Sequence, residues 1–134
     1  MTSANVAVVL EAYSALNRRD IDGALALAHP DTEFDWTDSM APYAEDFLGS
    51  DRARSRLTEF FAMWEDLHWT LEEVSELEGD HVIAVTRVRA RGRDGIEMDA
   101  RAAWLWTLRD GLVSRVKLCQ TKEDALARLA EELD

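Results

Sequence analysis

The sequence predicts an α+β fold in which an antiparallel sheet packs on helices from the N-terminal half of the chain. Three strand-like runs occupy residues 80–121 and are separated by turns at 92–95 and 109–111. The runs are rich in Val, Ile, Leu, Trp and Thr, and the turns carry the Asp-Gly pairs that hairpins favour. Helical periodicity precedes them, and helices grouped ahead of an antiparallel sheet are typical of α+β domains. A twisted sheet covered on one face leaves room for a pocket between the layers.

Composition is that of one globular domain covering residues 1–134, with 47% hydrophobic and 31% charged residues. No apolar run approaches the roughly 20 residues of a membrane-spanning helix. The N-terminus lacks the basic and apolar regions of a secretory signal. A single cysteine, Cys119, excludes an intrachain disulfide, so we expect a cytoplasmic protein.

The net charge of −12 repels phosphate backbones and anionic membranes, which argues against nucleic-acid or membrane partners. His29, His68 and His81 are dispersed without the spacing of metal ligands. No glycine-rich phosphate loop is present, because the GRDG sequence is a hairpin turn. We therefore expect neither a metal nor another cofactor.

Each element before the sheet has its own periodicity. Residues 4–17 form a helix after Ser3 as N-cap, and its apolar stripe is Val6, Val9, Leu10, Tyr13 and Leu16. A short helix follows Asp20. Residues 32–37 alternate as a strand that places Phe34 and Trp36 on one face and Asp35 on the other.

A loop at residues 38–49 leads to a third helix, and a fourth follows the sheet. The third starts at Ser50 or Asp51, and its apolar stripe is Leu57, Phe60, Phe61 and Trp64. From Trp69 the period changes to two, as in a strand. Residues 123–133 predict the terminal helix, with Ala125, Leu126, Leu129 and Leu133 facing inward.

Three segments resemble the NTF2-like superfamily, in its SnoaL-like branch, which is also polyketide-cyclase-like and ketosteroid-isomerase-like. They read YSALNRRDIDGALALAHPDTEF, GSDRARSRLTEFFAMW, and GIEMDARAAWLWTLRDGLVSRV followed by KEDALARL. The resemblance covers nearly the whole chain. It implies a cone-shaped α+β barrel with a deep apolar pocket, commonly dimeric through the outer face of the sheet. It does not fix an activity, because isomerases, dehydratases, cyclases, epoxide hydrolases and non-catalytic binding modules share this fold.

Catalytic members of this superfamily often carry a carboxylate on or just after the first strand, facing the pocket. Asp35 and Asp38 lie in that segment, and Trp36 occupies the position of the isomerase's base. Asp38 shares the face of Trp36 if the strand continues, so it is the better candidate for a catalytic base. Burial beside Phe34, Trp36 and Trp64 would raise its pKa towards neutrality. The alternative is a loop aspartate that forms an Asx turn.

The isomerase pattern also requires two oxyanion donors. A tyrosine on the first helix is matched by Tyr13 only with a shift of one position, about 100° around the helix. The alternative for Tyr13 is a core aromatic. The second donor would fall at Ala103, which cannot donate a hydrogen bond, so the resemblance does not extend to this isomerase chemistry.

The strand at residues 97–107 separates two sets of side chains. The family match turns the set with Asp99, Arg101, Ala103 and Leu105 towards the pocket. The predicted pocket lining is Tyr13, Phe34, Trp36, Phe60, Trp64, Ala103 and Leu105. Asp99 and Arg101 would then orient a carboxylate or enolate, or form an ion pair at the rim.

Trp104 and Trp106 belong to the other set and would face outward. Indoles of that size would not stay in water, so this assignment predicts a homodimer through the outer sheet face. If the two faces are reversed, both tryptophans line the pocket and the charged residues lie on the surface.

Three functions are compatible with these residues. The first is a cofactor-free acid–base enzyme of isomerase, cyclase or dehydratase type, acting on an apolar carbonyl compound with Asp38 as base. The second is a non-catalytic module that binds a small hydrophobic ligand. The third is a protein-interaction module of the same fold.

Overall fold

The computed structural model describes residues 3–35 and 46–133. The helices are α1 (Ala4–Asn17), α2 (Ile21–Leu25), α3 (Ser50–Met63) and α4 (Lys122–Leu133). The strands are β1 (Ala28–Asp35), β2 (Asp46–Leu48), β3 (Trp64–Leu77), β4 (His81–Gly92), β5 (Glu97–Arg109) and β6 (Leu112–Cys119). The predicted α+β architecture is confirmed. None of the described helices is long and apolar enough to cross a bilayer.

The six strands form one curved sheet in the order β2-β1-β6-β5-β4-β3. Neighbours are antiparallel except β1 and β6, which run parallel with Phe34 opposite Val116. The sequence predicted a curved antiparallel sheet, and the parallel pairing of β1 with β6 is the exception to it. No tight turn links β1 to β6, because most of the chain lies between them, so a hairpin does not impose their relative direction.

Two tight turns set the register of the long strands. Asp110 and Gly111 have φ values of 55° and 79° between β5 and β6. Gly79 and Asp80 have 76° and 61° between β3 and β4. Asp110 and Gly111 are the two residues between the paired Arg109 and Leu112, and positive φ at both is the requirement of a type I′ hairpin, whose twist matches that of the flanking strands. Three residues, 78–80, separate the paired Leu77 and His81, so the β3–β4 turn is one residue longer. Glycine and aspartate tolerate this conformation, which explains why these pairs mark the turns in the sequence.

Two polar side chains fix the end of α1 against the start of β3. The Asn17 amide donates to the Trp69 carbonyl at 3.0 Å and accepts from the Trp69 N–H at 2.9 Å. Because β3 is an edge strand, this side chain takes the place of a strand partner at that residue. The Arg19 guanidinium donates to the carbonyls of Phe61 and Trp64 and lies 5.8 Å from the Phe61 ring centroid.

The sheet carries a hydrophobic cluster on each face. The larger one lies on the inner face, between the sheet and helices α1–α3. The outer face is covered at one end by α4, and the residues of this outer cluster are Ile83, Ala103, Leu105, Cys119, Ala125 and Leu129. The terminal helix therefore takes up the apolar part of the outer face.

The outward assignment of Trp104 and Trp106 is wrong. Both side chains are buried in the inner cluster, at 6% and 4% exposed. Both rings pack there against Tyr13, while α4 covers the apolar end of the outer face. Because the indole pair is buried, it does not support a homodimer through the outer face of the sheet.

The imidazole of His81 links folding to pH. It is buried at the start of β4, with Nδ1 3.0 Å from Thr107 Oγ1. Burial lowers the pKa of His81 below 6.5, Asp80 opposes this shift, and Arg115 adds to it. The unfolded chain therefore binds this proton more readily, so the stabilisation is present above pH 6.5 and is lost as the pH falls from there towards the folded-state pKa.

We expect the melting temperature to fall between about pH 7.5 and pH 5.5, and less steeply in His81→Gln. Circular dichroism melts across this range measure the effect. His68→Gln is the matched control, because His68 is exposed and the variant should keep the wild-type slope. Equal slopes in wild type and His81→Gln would contradict the assignment.

Candidate functional site

A cavity of about 130 Å³ lies between helices α1–α3 and the inner face of the sheet. Its aromatic wall residues are Phe34, Phe60, Trp69, Trp104 and Trp106. Small side chains create the space, and these are Ala12, Ala24, Ala28, Ala100 and Ala102. The cavity is thus an apolar space with flat aromatic walls, the usual character of a small-molecule site.

Two tryptophans of β5 form one wall. Trp104 and Trp106 are two residues apart on a strand and so share a face. Their rings are nearly parallel, at 15° and a centroid distance of 5.9 Å. Tyr13 contacts both edge-on, at 5.6 Å and 5.4 Å, and Trp69 meets Trp104 at 6.4 Å and 84°. Each ring is held by its neighbours before any ligand arrives.

Hydrogen bonds fix the two indoles in orientation. Trp104 Nε1 donates to Thr86 Oγ1 at 3.0 Å, and Trp106 Nε1 donates to Tyr13 Oη at 3.2 Å. Burial raises the pKa of Tyr13 well above 10, and the bond from Trp106 opposes this only in part. The phenol is therefore neutral at physiological pH and does not serve as a base.

Acids and histidines are absent from the wall, as far as the structure describes the lining. Arg101 borders the cavity, but its guanidinium reaches Glu72, with Nε 2.8 Å from Oε1. Within residues 3–35 and 46–133, no three His, Cys, Asp or Glu side chains are grouped to hold a metal ion. The described wall can bind and orient a molecule, but it offers no carboxylate or imidazole for proton transfer.

Residues 9–116 match the model of the SnoaL-like domain. The chain belongs to the SnoaL-like domain family. Its structure resembles TerC, co-crystallised with polyporic acid, at 25% identity and a TM-score of 0.78, over 96% of this chain and 99% of that chain. Among curated proteins, none matches the sequence significantly.

Two further structures share the fold at lower identity. An NTF2-like protein of unknown function from Burkholderia pseudomallei is 21% identical, with a TM-score of 0.79 over 93% of this chain and 96% of that one. Rv0760c from Mycobacterium tuberculosis, in complex with estradiol-17β-hemisuccinate, is 15% identical, with a TM-score of 0.77 over 90% and 96%. They confirm the predicted NTF2-like fold.

Of the two candidate acids of this SnoaL-like chain, Asp35 lies within the described residues and has defined contacts, whereas Asp38 lies outside them. Strand alternation turns Phe34 towards the cavity and Asp35 away from it. Asp35 Oδ2 lies 3.0 Å from Lys117 Nζ and 3.5 Å from Arg115 Nη2, and the residue is buried. Asp35 therefore belongs to an ionic cluster behind the cavity wall. Asp38 and Trp36 lie outside the described residues.

The inward assignment of Asp99 is wrong, whereas Arg101 does border the cavity but turns its guanidinium away from it. Arg87 donates to both Asp99 oxygens, at 2.8 Å and 2.6 Å, on the outer face of the sheet. These bonds hold the pKa of Asp99 below its usual value. Arg101 pairs in the same way with Glu72 and is exposed. Ionised side chains stay hydrated on this face, whereas the cavity would strip their water.

Of the other predicted lining residues that the structure describes, two line the cavity and four do not. Phe34 and Phe60 line the cavity, and Tyr13 lies behind the two tryptophans. Trp64 packs against Phe60 at 6.2 Å and is not part of the wall. Ala103 and Leu105 were predicted to line the pocket, which is wrong, because they pack against α4 in the outer cluster.

Sequence reasoning missed Trp69 and Thr86. Trp69 lies on the inner face of β3, and its backbone is held by Asn17. Thr86 lies between Ala84 and Val88 on the inner face of β4. The sequence does contain a signal for Thr86. It is a hydroxyl in the middle of an otherwise apolar strand face, and a buried hydroxyl needs a hydrogen-bond partner.

Removing the Asp35 carboxylate should weaken the fold and leave the cavity intact. Asp35→Asn breaks a pair whose side chains are 12% and 5% exposed, and leaving Lys117 without it should cost about 3 kcal/mol of unfolding free energy. Urea denaturation measures this. Asp31→Asn is the matched control, since Asp31 is exposed and 3.8 Å from Arg109, and should cost under about 0.5 kcal/mol. Equal losses in the two variants would refute the structural role.

Proposed function

We propose that this chain binds a small, planar, largely apolar molecule in the cavity between α1–α3 and the sheet. The observation that carries the proposal is the stacked pair of Trp104 and Trp106, whose orientations are fixed by Thr86 and Tyr13. A wall set in place before binding loses little conformational entropy when a ligand enters. The co-crystal of TerC with polyporic acid supports a small-molecule role for this fold.

Cavity volume limits the size of the ligand. An apolar cavity of about 150 Å³ takes up benzene without opening, and this cavity measures about 130 Å³. One aromatic ring is therefore the size that the site accommodates with the least displacement of its walls, and a compact bicyclic such as indane is the next size up. A larger ligand would have to push wall side chains aside, at a cost in packing.

Filling the cavity should abolish binding. Ala102 lines the wall on β5, and Ala102→Leu places three more carbons in the space that indane, a compact apolar bicyclic, would occupy. Indane affinity should fall at least about tenfold, while overpacking should cost roughly 1–3 kcal/mol of stability. Isothermal titration calorimetry with indane gives the affinity.

Ala127→Leu on α4 is the matched control, because Ala127 is exposed and the same change there adds no atoms to the cavity. Its indane affinity should equal that of wild type. If Ala102→Leu binds indane as wild type does, indane is bound elsewhere and the proposal fails.

Acid–base catalysis on a carbonyl compound is the finer proposal, and it depends on Asp38. In that reaction the carboxylate removes a proton from the carbon next to the carbonyl. The C–H electron pair moves to the carbonyl oxygen as an enolate, and the proton then returns. The absence of an acid from the described cavity wall leaves Asp38 as the candidate base.

Exchange of the C2 protons of 1-indanone in D₂O isolates this step from the rest of any reaction. Wild type should accelerate the exchange seen by NMR, and Asp38→Asn should lose the acceleration while it still binds the ketone. Exchange no faster than in buffer would discard the enzyme proposal and leave the binding proposal standing.

Homodimerisation, which the family resemblance implies, would have to use a surface other than the two buried indoles. Beyond α4 the outer face of the sheet carries the ion pairs of Arg87 with Asp99 and of Arg101 with Glu72. A dimer formed there would have a polar interface and would weaken as salt is added.

A further inference from the structure

One hydroxyl on the cavity wall has an unused donor. Thr86 is 1% exposed and lines the cavity from the inner face of β4, opposite Ala102 on β5. Of the other polar lining residues, Arg101 directs its guanidinium outward and Gln120 is exposed. Thr86 is thus the polar side chain that sits deepest among the aromatic and alanine residues of the wall.

The partner of Thr86 determines where its proton points. An indole N–H only donates, so the bond from Trp104 Nε1 at 3.0 Å makes Thr86 Oγ1 the acceptor. The Thr86 proton must therefore point in another direction. Among the described residues it meets no acceptor, and no hydrogen bond is donated by Thr86 there. A buried donor left in that state is costly, and a ligand acceptor would remove the cost.

The corresponding hydroxyl of Tyr13 is in a different position. It accepts from Trp106 Nε1 at 3.2 Å, but Tyr13 lies behind the tryptophans and is not part of the wall. Of the two hydroxyls that hold the indoles, only that of Thr86 adjoins the cavity. The Tyr13–Trp106 pair therefore only fixes the wall, whereas the hydroxyl of the Thr86–Trp104 pair also adjoins the space that a ligand would occupy.

We propose, on the basis of the binding function above, that Thr86 selects ligands that place an acceptor oxygen, such as a ketone or quinone carbonyl, beside Trp104. Thr86 donates to that oxygen, and Trp104 is a positioning residue that keeps the hydroxyl oxygen occupied and its proton free. A ligand that only donates would leave the proton without an acceptor. Specificity then combines a flat apolar body with one oxygen on its edge.

Two probes of nearly the same shape test this inference. Indane and 1-indanone differ by a methylene replaced by a carbonyl. Their affinities for wild type, Thr86→Val and Thr86→Ser are measured by calorimetry, and the readout is the ratio of ketone to hydrocarbon affinity. Thr86→Val should lower this ratio about 3- to 10-fold, the effect of one neutral hydrogen bond. Thr86→Ser should keep the wild-type ratio.

A double variant separates the loss of the Thr86 donor from a loss of stability. Thr86→Val leaves Trp104 Nε1 without its acceptor and is expected to lose stability, whereas Thr86→Val with Trp104→Phe removes both partners and avoids an orphaned donor. This double variant should show the same low ratio as Thr86→Val.

The result that overturns the inference is an unchanged ratio in Thr86→Val and in the double variant, or an equal loss for both probes. If wild type binds neither probe, the binding function fails and the inference with it. If wild type binds both probes and the ratio does not depend on Thr86, only the inference fails.

Discussion

The structure depends on which face of β5 is buried. Trp104 and Trp106 pack inward against Tyr13, and a large aromatic side chain buries about 150–250 Å². At about 25 cal/mol per Å² this is roughly 4–6 kcal/mol for each indole before entropy costs. Since side chains alternate along a strand, the same choice turns Asp99 and Arg101 outward. A shift of one residue in register would exchange the two sets.

Local signals were enough for the helices and the long strands, but not for β2, which falls in the predicted loop at residues 38–49, nor for the start of β3 at Trp64 or the face of β5. The Asp-Gly turns and the change of period at Trp69 are properties of a few neighbouring residues. The end of β5 is apolar on both faces, because Ala103 and Leu105 pack against α4, so alternation alone does not tell inside from outside. The deciding signal was the charge of Asp99 and Arg101, which share their face and would lose hydration in a cavity.

Long-range pairing accounts for the rest of what the sequence did not predict. Alternation already separated Phe34 from Asp35, but Lys117, which donates a hydrogen bond to the Asp35 carboxylate, is 82 residues away along the chain. That contact exists because β1 lies parallel to β6, and no local pattern specifies such a pairing. The acid is thereby used to stabilise the back of the wall, and the described wall in front of it is apolar apart from a few polar groups such as Thr86.

The central claim is that the cavity beside Trp104 and Trp106 is a ligand site, and the indole N–H signals of the five tryptophans test it most directly. These signals are followed in ¹H–¹⁵N spectra while indane is added, with assignment by Trp→Phe variants. We expect the largest shifts at Trp69, Trp104 and Trp106, because the added ring current would act on the rings that line the cavity, and smaller shifts at Trp64. Unmoved signals at Trp104 and Trp106, with shifts confined to backbone amides of α4 or the outer face of β4, would contradict the account.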